Sequence, residues 1–140
     1  MAGDTILLVE DSEDDAFAFR RALKKAGVTH RVEVASDGRQ ALDYLLQVIT
    51  DGDADRFPPP AIVFLDLKLP YHDGMEILEW IRRQAALSQL KVIVLSGSDE
   101  PRDRERAKSL GARGYLVKPA TPDDLRRALE IDVANTGTAS

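Results

Sequence analysis

The sequence predicts an α/β protein built on one doubly wound, five-stranded parallel sheet, and three observations carry that reading. Five short apolar runs recur along the 140 residues, each bounded by polar or turn residues. Helical patterns lie between them, so strand and helix alternate from start to finish. Four of the five runs are mostly continuous in Val, Ile, Leu and Phe, as in strands covered on both faces. Strands in that order pair in parallel through right-handed crossovers, which puts helices on both sides of the sheet.

Ile6–Val9 is the first strand. Asp14–Ala26 follows as a helix that sets Phe17, Leu23 and several alanines among charges, with Gly27 as its stop signal. Arg31–Ala35 (RVEVA) alternates and therefore suits a more exposed edge. Gly38–Ile49 gathers Ala41, Leu42, Leu45 and Leu46 on one helical face at spacings of three and four. Thr50–Pro60 (TDGDADRFPPP), polar and then proline-rich, is expected to be an exposed excursion rather than a domain boundary. Ala61–Leu65 is the third strand, and Gly74–Ala86 a helix with Ile77, Leu78 and Ile81 inward and Trp80 at the margin. Lys91–Leu95 is the fourth strand. Pro101–Leu110 opens with a first-turn proline and stops before Gly111, and its RDRER segment reads as a solvated face. Tyr115–Val117 is the fifth strand. Thr121–Ile131 opens TPDD: a cap, a proline and two acids that suit the helix dipole. The small, polar tail Asp132–Ser140 is expected to fray. Residues 1–140 thus read as one domain with its core over about 5–131.

Composition narrows the function. A net charge of −5 argues against nucleic acid as a partner, since phosphate contacts need clustered Lys and Arg. The absence of cysteine removes disulfides, thiolate catalysis and Cys-ligated metals. No segment approaches the ~20 apolar residues of a membrane span, and the first apolar run is too short for a signal peptide. A cytoplasmic protein without membrane contact is expected.

Ligands of open parallel sheets bind beyond the carboxyl ends of the strands. There the first strand delivers Glu10 and Asp11, the third Asp66, the fourth Ser96 and the fifth Lys118. Three carboxylates repel one another unless a cation compensates, and oxygen-only ligands suit a hard ion such as Mg²⁺. Lys118 adds a positive charge and Ser96 a hydrogen-bond donor, so the set fits a phosphoryl group beside a metal. In that chemistry Asp66 is both metal ligand and nucleophile, forming an aspartyl phosphate, with Glu10 and Asp11 as metal anchors. Asp15, His30 and His72 read as solvent-exposed, and Asp73-Gly74 as a turn signal.

ILLVEDSEDD, FLDLKLPYHDG, VIVLSGS and GYLVKP, in that order, resemble the receiver domain of response regulators, the phosphoacceptor half of two-component signalling. Ser96 and Lys118 follow Asp66 by thirty and fifty-two residues, as in typical members. The resemblance, over roughly Thr5–Glu130, implies a flavodoxin-like or CheY-like sheet with strand order 2-1-3-4-5. It implies Asp66 as phosphoacceptor, Glu10 and Asp11 as the acidic metal pair, and Mg²⁺ as cofactor. It further implies Ser96 and Tyr115 as switch residues, Lys118 as the phosphate-contacting lysine, and a cis Lys118–Pro119 bond. The backbone carbonyl of Lys68 would be a further metal ligand. VEDSEDD and the PPP insertion are similar to the small stand-alone receivers partnered with bacterial phytochrome kinases. Expected partners are therefore a sensor histidine kinase, with a bacteriophytochrome indicated, an unknown downstream protein, and a second copy as a homodimer. No enzymatic activity is expected beyond self-phosphotransfer and autodephosphorylation, and no effector domain follows. A phosphorelay intermediate or phosphate sink is the alternative within this class. Outside it, a haloacid dehalogenase-like phosphohydrolase would need an acid where Lys68 stands, and a flavodoxin-like cofactor module would meet repulsion from EDSEDD.

Overall fold

The computed structural model of the chain describes residues 5–51 and 55–136, over which strands and helices alternate. In order they are β1 (Thr5–Val9), α1 (Glu13–Lys25), β2 (Arg31–Ala35), α2 (Gly38–Asp51) and β3 (Ile62–Asp66). There follow α3 (Gly74–Arg83), a 3-10 turn at Ala85–Leu87, β4 (Lys91–Ser96), α4 (Pro101–Ser109), β5 (Gly114–Val117) and α5 (Pro122–Thr136). Every pairing is parallel and the order is β2-β1-β3-β4-β5, as the resemblance implied.

The continuous apolar runs have a simple cause: successive side chains point to opposite faces, and both faces are covered. Leu7, Val9, Val63, Leu65, Val92 and Val94 meet Leu45, Ile77, Leu78 and Ile81 on one side. Ile6, Leu8, Ile62, Phe64, Ile93 and Leu95 meet Phe19, Leu23 and Leu125 on the other. Phe19 stands edge-on to Phe64 with ring centroids 4.9 Å apart. Burying each such side chain contributes about 1.5–3 kcal/mol. Edge strand β2 is the more exposed strand its sequence predicted, buried only at Ala35, although its exposure does not alternate: Val32 and Glu33 are both half-buried and Val34 is exposed.

Four expectations need correction. Phe17 faces solvent, and the inward positions of α1 are Phe19, Ala22 and Leu23, one i, i+3, i+4 set. Leu46 is likewise exposed, leaving Ala41 and Leu45 as the buried residues of its predicted stripe. The proline-rich end of the 50–60 connection is not an exposed excursion. Tyr44 donates a hydrogen bond to the Pro58 carbonyl at 2.6 Å and its ring meets Phe57, so Pro58 and Pro60 are buried while Asp55 and Arg56 stay outside. Burial and the Glu33 charge push the Tyr44 hydroxyl up to about 12, against the pull of Arg31, so it remains a donor. Finally, α5 continues to Thr136, five residues beyond the predicted end; of the tail expected to fray, residues 137–140 lie outside the described part. Among the described residues no helix is long and apolar enough to cross a membrane.

Candidate functional site

Four strand ends build one cluster. Glu10 continues β1 by donating its N–H to the Ala35 carbonyl at 2.9 Å, which keeps its carboxylate buried at 2% exposure. Asp11 lies beyond it in an exposed turn. Asp66 closes β3 at 4% exposure, and its Oδ1 accepts the Lys68 N–H at 3.1 Å. Ser96 closes β4, buried, its Oγ accepting the Ser98 N–H at 3.1 Å. The Lys118 N–H donates to the Ser96 carbonyl at 2.7 Å, so one backbone rung fixes the lysine beside the serine. The Lys118–Pro119 peptide bond is cis.

The Lys118 Nζ lies 2.6 Å from Glu10 Oε1, 3.1 Å from Asp66 Oδ2 and 3.0 Å from Asp15 Oδ2. Burial alone would lower this ammonium's pKa, but the carboxylates outweigh it and hold the value above that of an ordinary lysine. Burial raises the Glu10 carboxyl above its usual range, and the Asp66 charge adds to this, against the Lys118 ammonium and the Ser12 N–H. One oxygen each from Glu10, Asp11 and Asp66 falls within a 4.8 Å span. Glu10 Oε1 is fully buried, and its partner there is the Lys118 ammonium at 2.6 Å. Three clustered carboxylates offering oxygen ligands alone are a donor set that a hard divalent cation fits.

The cluster opens onto a cleft of about 790 Å³ whose walls include Asp11, Lys68, His72, Ser96 and Arg106. His72, read from sequence as exposed, is half-buried there. His30 is also half-buried. Tyr115 lies one strand further on, its hydroxyl donating to the Ser98 carbonyl at 2.8 Å. The Arg104 guanidinium sits 4.7 Å from its ring centroid and pairs with Asp99.

The sequence reading missed four residues. Asp15, taken as solvated surface, is a partner of Lys118; the signal was Ser12, whose hydroxyl caps α1 and places Asp15 three residues on. Asp73-Gly74 is more than a turn. Asp73 caps α3 in a reciprocal box with Glu76, and a Cβ on Gly74 would meet the Asp66 carbonyl oxygen at 2.4 Å. Arg104, in a segment read as solvated, covers Tyr115; a mixed-charge pattern carries no sign of that.

The family model described as the response regulator receiver domain matches residues 6–130. Among curated proteins, the probable methanogenesis regulatory protein FilR2 of Methanothrix harundinacea is 41% identical over 125 residues, covering 89% of this chain and 78% of its own. Among solved structures, the bacteriophytochrome response regulator AtBRR is 36% identical with a TM-score of 0.79, covering 99% of this chain and 96% of its own. The Mn²⁺-bound form of Rcp1, a response regulator of Synechocystis, is 30% identical with a TM-score of 0.75, covering 98% and 97%.

Proposed function

The chain belongs to the response regulator receiver family, and on that premise we propose that it is a single-domain response regulator, phosphorylated on Asp66 with Mg²⁺ by a sensor histidine kinase in the cytoplasm. The observation that carries this reading is the Asp66 carboxylate at its strand end, with Lys118 on one side and Glu10 and Asp11 within ligand reach.

The chemistry follows from the residues. An Asp66 carboxylate oxygen attacks the phosphorus of a phosphohistidine; the new O–P bond forms as the N–P bond breaks, and the imidazole leaves with the electron pair. Glu10, Asp11, Asp66 and the Lys68 carbonyl would hold Mg²⁺, which when bound offsets charge on the transferring oxygens. Lys118 supplies a fixed positive charge to the same oxygens, and Ser96 a hydroxyl that can turn toward the product. The added dianion biases the loops carrying Ser96 and Lys118, and Tyr115 transmits the change to the α4–β5–α5 side. Output passes by protein contact there, with a second copy of the chain as one partner to be tested by sedimentation. Lys68, two residues past Asp66, flanks the route of hydrolytic water and is assigned to slowing loss of the phosphoryl group; unchanged decay in Lys68→Ala would dispose of that role.

A bacteriophytochrome kinase is the partner we favour, on the likeness to AtBRR, whereas FilR2 carries a different regulatory role in its name. The test is a phosphotransfer panel against phytochrome and other histidine kinases, with Mg²⁺ present or chelated. The expected result is a labile adduct on Asp66 by mass spectrometry, absent in Asp66→Asn and in chelator. Turnover of a small phosphate ester without a persistent adduct would indicate a phosphohydrolase instead.

A further inference from the structure

Lys118 is shared by three carboxylates, and one of them stands outside the strand-end cluster. Glu10 and Asp66 are buried, but the Asp15 side chain projects from the first turn of α1 and is 48% exposed. Its position is built rather than incidental. The Ser12 hydroxyl accepts the Asp15 N–H at 3.1 Å, and Phe19 anchors α1 against Phe64. Between α1 and the fifth strand's end lies a cavity of about 330 Å³, lined by Glu10, Asp15, Phe19, Lys118 and Pro119 among others. The ammonium already reaches Asp15 at 3.0 Å on the wall of this cavity, so it can keep that partner when the other two leave it.

A divalent cation and the Lys118 ammonium seek the same oxygens, those of Glu10 and Asp66, so the two compete unless the lysine has another anchor. We propose that Asp15 is that anchor: a positioning residue that receives Lys118 when Glu10 and Asp66 turn to a bound cation, and keeps the amine beside Asp66. The inference rests on the phosphoacceptor reading above and adds a residue to it. Without Asp15 the ammonium stays on the ligand oxygens and opposes the ion. A plain surface acid would act only through its charge, with or without Lys118.

Calorimetric titration with Mn²⁺ and Mg²⁺ separates the two roles. Asp15→Asn is expected to weaken binding about fivefold in the native background and less than twofold in Lys118→Gln, because coupled neighbours are non-additive. Asp15→Ser should repeat the loss, and Asp15→Glu should restore binding to within twofold. Asp14→Asn removes the same charge from the same turn of α1, away from the partners of Lys118, and should shift affinity less than twofold. Equal losses from Asp15→Asn in both lysine backgrounds, or a matching loss from Asp14→Asn, overturn the proposal. In either case an intact Asp66 adduct in the wild type leaves the phosphoacceptor reading standing. A wild type that binds neither ion and forms no adduct defeats that reading and takes this one with it.

Discussion

Glu10 is a carboxylate almost without water, and its charged form is disfavoured by burial and by Asp66. Its folded state holds a proton more tightly than the unfolded chain, so without divalent ions stability is withdrawn as pH rises from the ordinary glutamate range through its raised value. Glu10→Gln should remove that slope and leave the metal-free protein at least as stable as wild type at neutral pH, by urea unfolding across pH 4.5–8. The same variant should lose most of the stabilisation by Mg²⁺, which for wild type at a hundred times Kd is about 2.7 kcal/mol. Arg104→Ala should cost about 0.5–1 kcal/mol, the worth of an exposed cation–π contact, and alter the Tyr115 ring resonances. Glu10, Asp66, Ser96 and Lys118 were legible one by one because each is the polar residue that ends an apolar run. Asp15 was not, since its direction depends on the phase of a helix that starts at Glu13, just past its cap Ser12.

The elements are held where they start. α5 opens with a reciprocal cap: the Thr121 hydroxyl accepts the Asp124 N–H and Asp124 accepts the Thr121 N–H, each at 3.0 Å. The backbone hydrogen bond from Thr121 lowers the Asp124 pKa, so its stabilisation is present above the ordinary aspartate range and fades as pH falls through the depressed value. Asp124→Ala should cost about 1 kcal/mol at neutral pH, with the deficit shrinking in acid, read by thermal melts. Lys91, buried at the start of β4, donates to the Ala128 carbonyl of α5 at 3.1 Å. α3 begins so close to β3 that Gly74→Ala should cost about 1–3 kcal/mol and reduce phosphorylation of Asp66, because backbone rather than a flexible side chain meets the new methyl. Element types and order were readable from periodicity and caps. The ends were less so: α3 stops at Arg83 because Gln84 is extended, and periodicity is blind to a single backbone dihedral.

Across the chain, the sheet could be read in advance because it is covered on both faces, so its burial shows directly as unbroken apolar runs. The staple from Tyr44 to Pro58 could not, because a hydroxyl meeting a carbonyl fourteen residues away leaves no periodic trace. The chemistry hangs on strand ends while the core lies between strands and helices, so substitutions at the cluster should change ion binding more than the unfolding cooperativity. The single backbone hydrogen bond from the Lys118 N–H to the Ser96 carbonyl sets a limit on how the molecule reports. On the proposed reading, alcohol and amine are yoked through that rung: a tug on either would travel to its companion, and neighbouring surfaces would receive one message rather than two.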